Sequence, residues 1–251
     1  MNPFLTATIV FAALFGAALV GMWLRRRLPH HHLSEETKDA VRIGMGSVAT
    51  MAALVLGLLV ASTYGAYDNE KNEVIQIAAK IVQLDQLLIN CGPGAVESRQ
   101  VLRRAVRSAI LRIWPSAKVA QDTPPPADAW GQALPRAIQG ISTSDEAQRT
   151  FKSQAAALAN DLGQMRWLLF EQATSSISVP LLVIMVFWFA LTFVSVSLFA
   201  PPNATVITAQ IMAALSVAGA IFLILELDQP FDGLIRISSQ PMLNALTHLG
   251  G

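Results

Sequence analysis

Charge is scarce in this chain. Of its 251 residues only 14% are Asp, Glu, Lys or Arg, where an ordinary soluble domain carries about 25%. The formal net charge of +1 gives no general case for binding nucleic acid. Cysteine is scarcer still. Cys91 stands alone, which excludes an intrachain disulfide and any paired-cysteine metal or redox site. Catalytic patterns are missing too: there is no GxSxG, HExxH, P-loop or GxGxxG, and no histidine neighbours Cys91. Nucleophilic, metallohydrolase and nucleotide-dependent chemistry are left without a foothold. The chain reads as a non-enzyme with no cofactor.

What is abundant is apolar. Hydrophobic residues make up 53% of the chain and the mean hydropathy is +0.47, too apolar for a soluble domain. Four runs are long enough to cross a bilayer as helices: Phe4–Leu24, Ile43–Tyr67, Ser178–Ala200 and Ala204–Leu225. The first is followed at once by Arg25, Arg26 and Arg27. A cleaved secretory signal places its positive charge before the apolar core, so this run reads as a retained span.

The second run has the most internal order. Ala49, Ala53, Gly57, Ala61 and Gly65 recur every four residues, a row of small side chains. Such rows let another backbone approach closely, which is how helices associate in lipid. We expect this row to pack against the other spans of the same chain. The neighbouring row, Thr50, Leu54, Leu58 and Ser62, is then left to face a partner or a pore.

The helical pattern does not stop at Tyr67. Val74, Ile77, Ile81, Leu84 and Leu88 follow at three- and four-residue steps, a coiled-coil-like seam that carries the second span onward as one helix. Cys91, Gly92, Pro93 and Gly94 mark its end. Upstream, Ser34 with Glu35 and Glu36 reads as its start. The triplet His30, His31, His32 lacks a partner carboxylate or cysteine arranged nearby and is not assigned a metal.

Residues Glu97–Trp114 form an amphipathic helix with Leu102, Val106, Ala109 and Ile113 on one face. Arg99, Arg103, Arg104, Arg107 and Arg112 lie elsewhere on it, either an anion-attracting surface or a solvated face meeting acids of the same domain. Pro115–Pro135, with Pro124, Pro125 and Pro126, reads as a loop. A further helix begins near Ser144, with Phe151, Ala155, Leu158, Leu162, Met165 and Leu169 as its apolar stripe. Past the fourth span come Glu226, Asp228, Pro230, Phe231, Asp232 and Gly233. A short last helix follows, with Ser238 or Ser239 at its cap and Met242, Leu243 and Leu246 on its apolar face.

The expected fold is all-α. Residues 1–68 hold the first two spans, 69–176 an extramembrane helical domain, 177–226 the last two spans and 227–251 an interfacial segment. The acidic cluster Glu226, Asp228 and Asp232 has two readings. It holds a cation or shapes ion passage at a span end, or it supplies hydrogen-bond acceptors that fix the chain's turn.

This order of elements, with the stretch ELDQPFDGLIRIS, resembles a bacterial membrane family called bestrophin-like, and through it the bestrophins, which are pentameric anion channels. Leu54–Val60 is similar to the bestrophin neck helix, whose constriction is lined by apolar residues four apart. The resemblance places Thr50, Leu54 and Leu58 at that constriction. Pro230, Phe231 and Gly233, preceded by Glu226, are similar to the segment after the last bestrophin span. The departures matter. Where bestrophins place an arginine and paired tryptophans, this chain has Ala66, Tyr67 and Asp68. Of the acidic run that clasps calcium in animal bestrophins only Asp232 remains, so calcium activation is not implied.

Two functions follow as expectations. One is a homo-oligomeric ion channel, an anion channel and a pentamer by the resemblance, in a bacterial inner membrane, with Thr50, Leu54, Leu58 and Ser62 lining the pore. The other is a non-conducting scaffold or sensor that binds a partner through the helical domain. The arginines after the first span favour a cytoplasmic first connection. That would put the helical domain outside the cytoplasm, whereas the resemblance puts it inside.

Overall fold

Every regular element is helical in the computed structural model, which describes residues 2–29, 34–115, 128–172 and 179–249. The order is α1 (Pro3–Arg27), α2 (Glu35–Asn90), a 3-10 turn (Pro93–Ala95), α3 (Val96–Ile113), α4 (Asp128–Gln139), α5 (Glu146–Gln172), α6 (Val179–Phe199), α7 (Ala204–Leu227) and α8 (Gln240–His248). Helices α1, α2, α6 and α7 are long and apolar enough to cross a membrane. The His30–His32 and Pro124–Pro126 triplets lie outside the described residues.

Helix α2 runs unbroken for 56 residues. Its start uses Ser34, whose Oγ accepts the amide of Thr37 at 3.3 Å, and no proline interrupts it before Pro93. It ends where Gly92 takes φ +85°, a left-handed conformation that glycine adopts without strain.

Packing divides the chain into two units. The first holds α1, α2 up to Tyr67, α6, α7 and Gly233–Ile235. Its core is Val10, Leu14 and Ala18 of α1, Leu182, Met185 and Phe193 of α6, and Ala214, Ile221 and Leu225 of α7. Helices α1 and α6 meet closely at Gly21. A Cβ there would collide with the Val194 carbonyl oxygen and lie 2.8 Å from Ser197 Cβ. Here a small residue does what small residues do in lipid, letting one backbone touch another. Asn203 starts α7 by accepting the Val206 amide at 2.8 Å.

The second unit holds α2 from Asp68, α3, α4, α5, α8 and Pro230–Asp232. The seam residues Val74, Ile81, Leu84 and Leu88 are buried, as are Leu102, Val106 and Ile110 of α3 and Ala155 and Ala159 of α5. Asp85 sits among them and takes a two-pronged bond from Arg99, Nε to Oδ1 at 2.7 Å and Nη2 to Oδ2 at 3.1 Å. A buried carboxylate needs such a partner, and the pairing holds the Arg99 guanidinium above its ordinary pKa. Burial also pushes the Cys91 thiol up, with Lys152 opposing.

One expectation fails here. The stretch read as a loop up to Pro135 contains the first part of α4, and Pro135 lies inside that helix. Proline removes one amide donor, normally a helix-breaking loss. Burial of Ile138 in the same helix and of Ile141 just beyond it provides packing that outweighs the missing bond. Helix α8 also differs in detail: Met242, Ala245 and Leu249 are its buried side, with Leu243 and Leu246 half-buried.

Candidate pore-lining helix and C-terminal turn

Helix α2 meets its own unit along one side. Ala52 and Thr63 are buried, and Val55, Leu56 and Leu59 pack against the core of α1, α6 and α7. Thr63 satisfies its hydroxyl internally by donating to the Leu59 carbonyl at 2.8 Å. The opposite side is open. Leu54 is 69% exposed and Leu58 71%, and Thr50 and Ser62 are exposed with them. Thr50 donates its hydroxyl back to the Gly46 carbonyl at 2.9 Å.

The row of small residues is not what packs within the chain. Ala53, Gly57 and Ala61 are exposed, Ala49 and Gly65 half-buried. A Cβ built on Gly57 or Gly65 meets nothing within 4 Å. The reason is helical geometry. A four-residue step overshoots a 3.6-residue turn by about 40°, so such a row winds round the helix instead of holding one side. Ala49 starts near the packed side, and the row has left it by Gly57.

The second candidate region is the turn after α7. Glu226 is 2% exposed. Its Oε2 accepts the Leu234 amide at 2.7 Å and the Ile235 amide at 3.4 Å. Gly233 takes φ +88°, and a Cβ there would stand 2.6 Å from Glu226 Oε2. Glycine is required twice over, by conformation and by space. A carboxylate receiving backbone amides is a strong, charge-assisted anchor. Glu226 thus follows the turn-fixing reading. Asp232 is exposed, and among the described residues no three His, Cys, Asp or Glu side chains gather as a metal-holding group.

Pro230 and Phe231 are held in the second unit. Pro230 is buried, and its carbonyl accepts the Ile237 amide at 2.7 Å. Phe231 stands edge-on to Trp114 with ring centroids 5.6 Å apart. Trp114 in turn donates Nε1–H to the Ile237 carbonyl at 2.8 Å. This tryptophan was not singled out from the sequence. Its place at the end of an apolar helical face, just before Pro115, is the signal that could have found it, since buried Trp seeks one acceptor.

The family model for the bestrophin-like domain matches residues 12–242, from within α1 into α8. The chain belongs to the bestrophin-like family. Solved structures agree on the fold. A bacterial bestrophin homolog from Klebsiella pneumoniae, an isoleucine-to-threonine variant, matches with a TM-score of 0.68 at 11% identity, covering 100% of both chains. A tyrosine-to-alanine variant of the Klebsiella homolog matches with a TM-score of 0.65 at 10% identity, covering 95% of this chain and 99% of that one. No curated protein matches. At this identity the likeness is one of fold. In this bestrophin-like chain the Pro230, Phe231 and Gly233 motif is a built turn, and within Leu54–Val60 it is Leu54, Gly57 and Leu58 that are left uncovered.

Proposed function

We propose that this bestrophin-like protein is the subunit of a homo-oligomeric ion channel in the bacterial plasma membrane, a pentamer with α2 lining the pathway. The observation that carries this reading is the exposure of Leu54 and Leu58, opposite the side of α2 that packs on α1, α6 and α7. A ring of leucines at an axis forms an apolar throat that can gate by dewetting. The wound row of Ala53, Gly57 and Ala61 is open in the single chain and suits close approach between neighbouring subunits. Membership in the family supports the same arrangement.

The experiment is purification in detergent, imaging of the particle for subunit number, and current measurement in a planar bilayer. A closed ring with α2 at its centre and a current that rises in a Leu54→Ala, Leu58→Ala variant are the expected results. A ring that passes no current, with the double variant equally silent, overturns the channel reading. The non-conducting scaffold, with the helical domain as its docking element, then takes its place.

A further inference from the structure

Helix α1 closes on Arg25, Arg26 and Arg27, all in its last turn. They end an apolar helix long enough to span, the place where lipid headgroups begin. Among the described residues no carboxylate pairs with any of them. Helix α6, its connection to α7 and α7 as far as Leu225 contain no acid at all. At the start of α2, Glu35 is engaged by Lys38 at 3.3 Å, and Glu36 and Asp39 stand exposed.

Arg25 differs from its two neighbours. Leu14, Ala18 and Gly21 belong to the buried side of α1, and Arg25 continues that side at the same helical spacing. It lies one turn, about 6 Å, beyond the point where Gly21 meets Val194 and Ser197 of α6. Arg25 is half-buried, and its Nη1 is buried with no hydrogen-bond partner among the described residues. Arg26 and Arg27 are exposed. Arg27 lies over the ring of Trp23, 5.5 Å from its centroid, and Trp23 is itself 56% exposed. An exposed tryptophan at the end of a span is suited to the headgroup region.

A guanidinium nitrogen cut off from water and lacking an acceptor is costly. The helices beside Arg25 offer it no counter-charge, so the acceptor that suits it comes from outside the chain. We propose that the end of α1 is a binding site for an anionic phospholipid, whose headgroup phosphate is taken by Arg25. The guanidinium fork matches two phosphate oxygens at once, and its flexible stem can turn the buried nitrogen toward the headgroup. Arg26 and Arg27 add attraction for the same charge. Exposed Leu19 and Val20 on α1 give the acyl chains an apolar surface, which a free phosphate would not use. The site does not depend on whether the protein conducts.

The test is native mass spectrometry of the delipidated full-length protein in detergent, titrated with phosphatidylglycerol or phosphatidylcholine. The parent is expected to hold phosphatidylglycerol more tightly by about fivefold or more. Arg25→Gln should remove most of that preference, and Arg25→Lys should keep part of it, as charge without the fork. Arg26→Gln and Arg27→Gln should each cost less than Arg25→Gln. A parent without the preference overturns the proposal whatever the variants do. Equal losses from all three glutamine changes overturn the site at Arg25 and leave only diffuse attraction. An Arg25→Gln protein that melts earlier yet keeps the full preference overturns it too, since Arg25 is then structural. Should Arg25→Gln fail to fold, Arg25→Lys carries the test, and an undiminished preference there overturns the assignment. Glycerol phosphate in large excess should not displace the bound lipid. Displacement assigns the site to a soluble phosphate and overturns the lipid.

Discussion

Gly21 and Gly57 are the same residue in two different situations. Gly21 of α1 is already in use, its missing side chain filled by the Val194 carbonyl and Ser197 of α6. Gly57 of α2 faces open space. Helix α1 spends Ala18 and Gly21 inside the chain, and α2 keeps most of its own small residues outside. A helix that withholds its close-contact surface from its own fold has it available for another copy. The contrast between a consumed face and an open one is the physical core of the channel proposal.

The most damaging way to probe the contrast is to fill both glycines. Gly21→Leu forces bulk into backbone and should cost well over 3 kcal/mol, abolishing a folded membrane unit by thermal unfolding in detergent. Gly57→Leu should change protomer stability by less than about 1 kcal/mol. It should instead shift the particle toward smaller species on size-exclusion chromatography with light scattering. Equal losses of folding in both variants would erase the distinction.

Leucines sharpen the same comparison. Leu84 is fully buried, and Leu84→Ala should destabilise the helical unit by about 2–5 kcal/mol. Leu54→Ala, at the exposed side of the same helix, should leave the melting temperature nearly unchanged and act on current alone.

The turn after α7 extends the comparison to a glycine that is consumed by a carboxylate. Gly233→Ala adds strain at positive φ and a clash with Glu226, costing about 2–4 kcal/mol in thermal unfolding. Glu226→Gln keeps an acceptor for the Leu234 amide but loses its charge, and should cost about 1 kcal/mol. The smallest effect belongs to Trp114. Trp114→Phe keeps the ring against Phe231 but leaves the Ile237 carbonyl one donor short, about 1 kcal/mol or less.

Much of the fold was legible in the sequence because lipid imposes strong rules. A span needs an uninterrupted apolar run, and the four runs became α1, α2, α6 and α7. The seam after Tyr67 continued α2 because no proline or glycine stopped it before Gly92. Helix α4 was not legible, because Pro135 argues locally against a helix and the packing that overrides it is nonlocal.

The candidate site divides in the same way. The sequence by itself determined which residues of α2 are small, which are leucine and which are charged, and it carried the motif that places the chain in its family. It could not say which side of α2 would be covered. That depends on where α1, α6 and α7 meet it, and a helix with apolar residues all round offers no amphipathic signal to choose a side. The tertiary structure put Ala52, Leu56 and Leu59 inward and left Leu54, Gly57 and Leu58 open. It likewise decided between two readings of Glu226. The sequence showed an acid at a span end, and only the folded turn brought the amides of Leu234 and Ile235 to its carboxylate. Composition is local and can be read from a string of letters. Which surface is buried and which amide meets which oxygen depend on residues far apart in that string, and only folding brings them together.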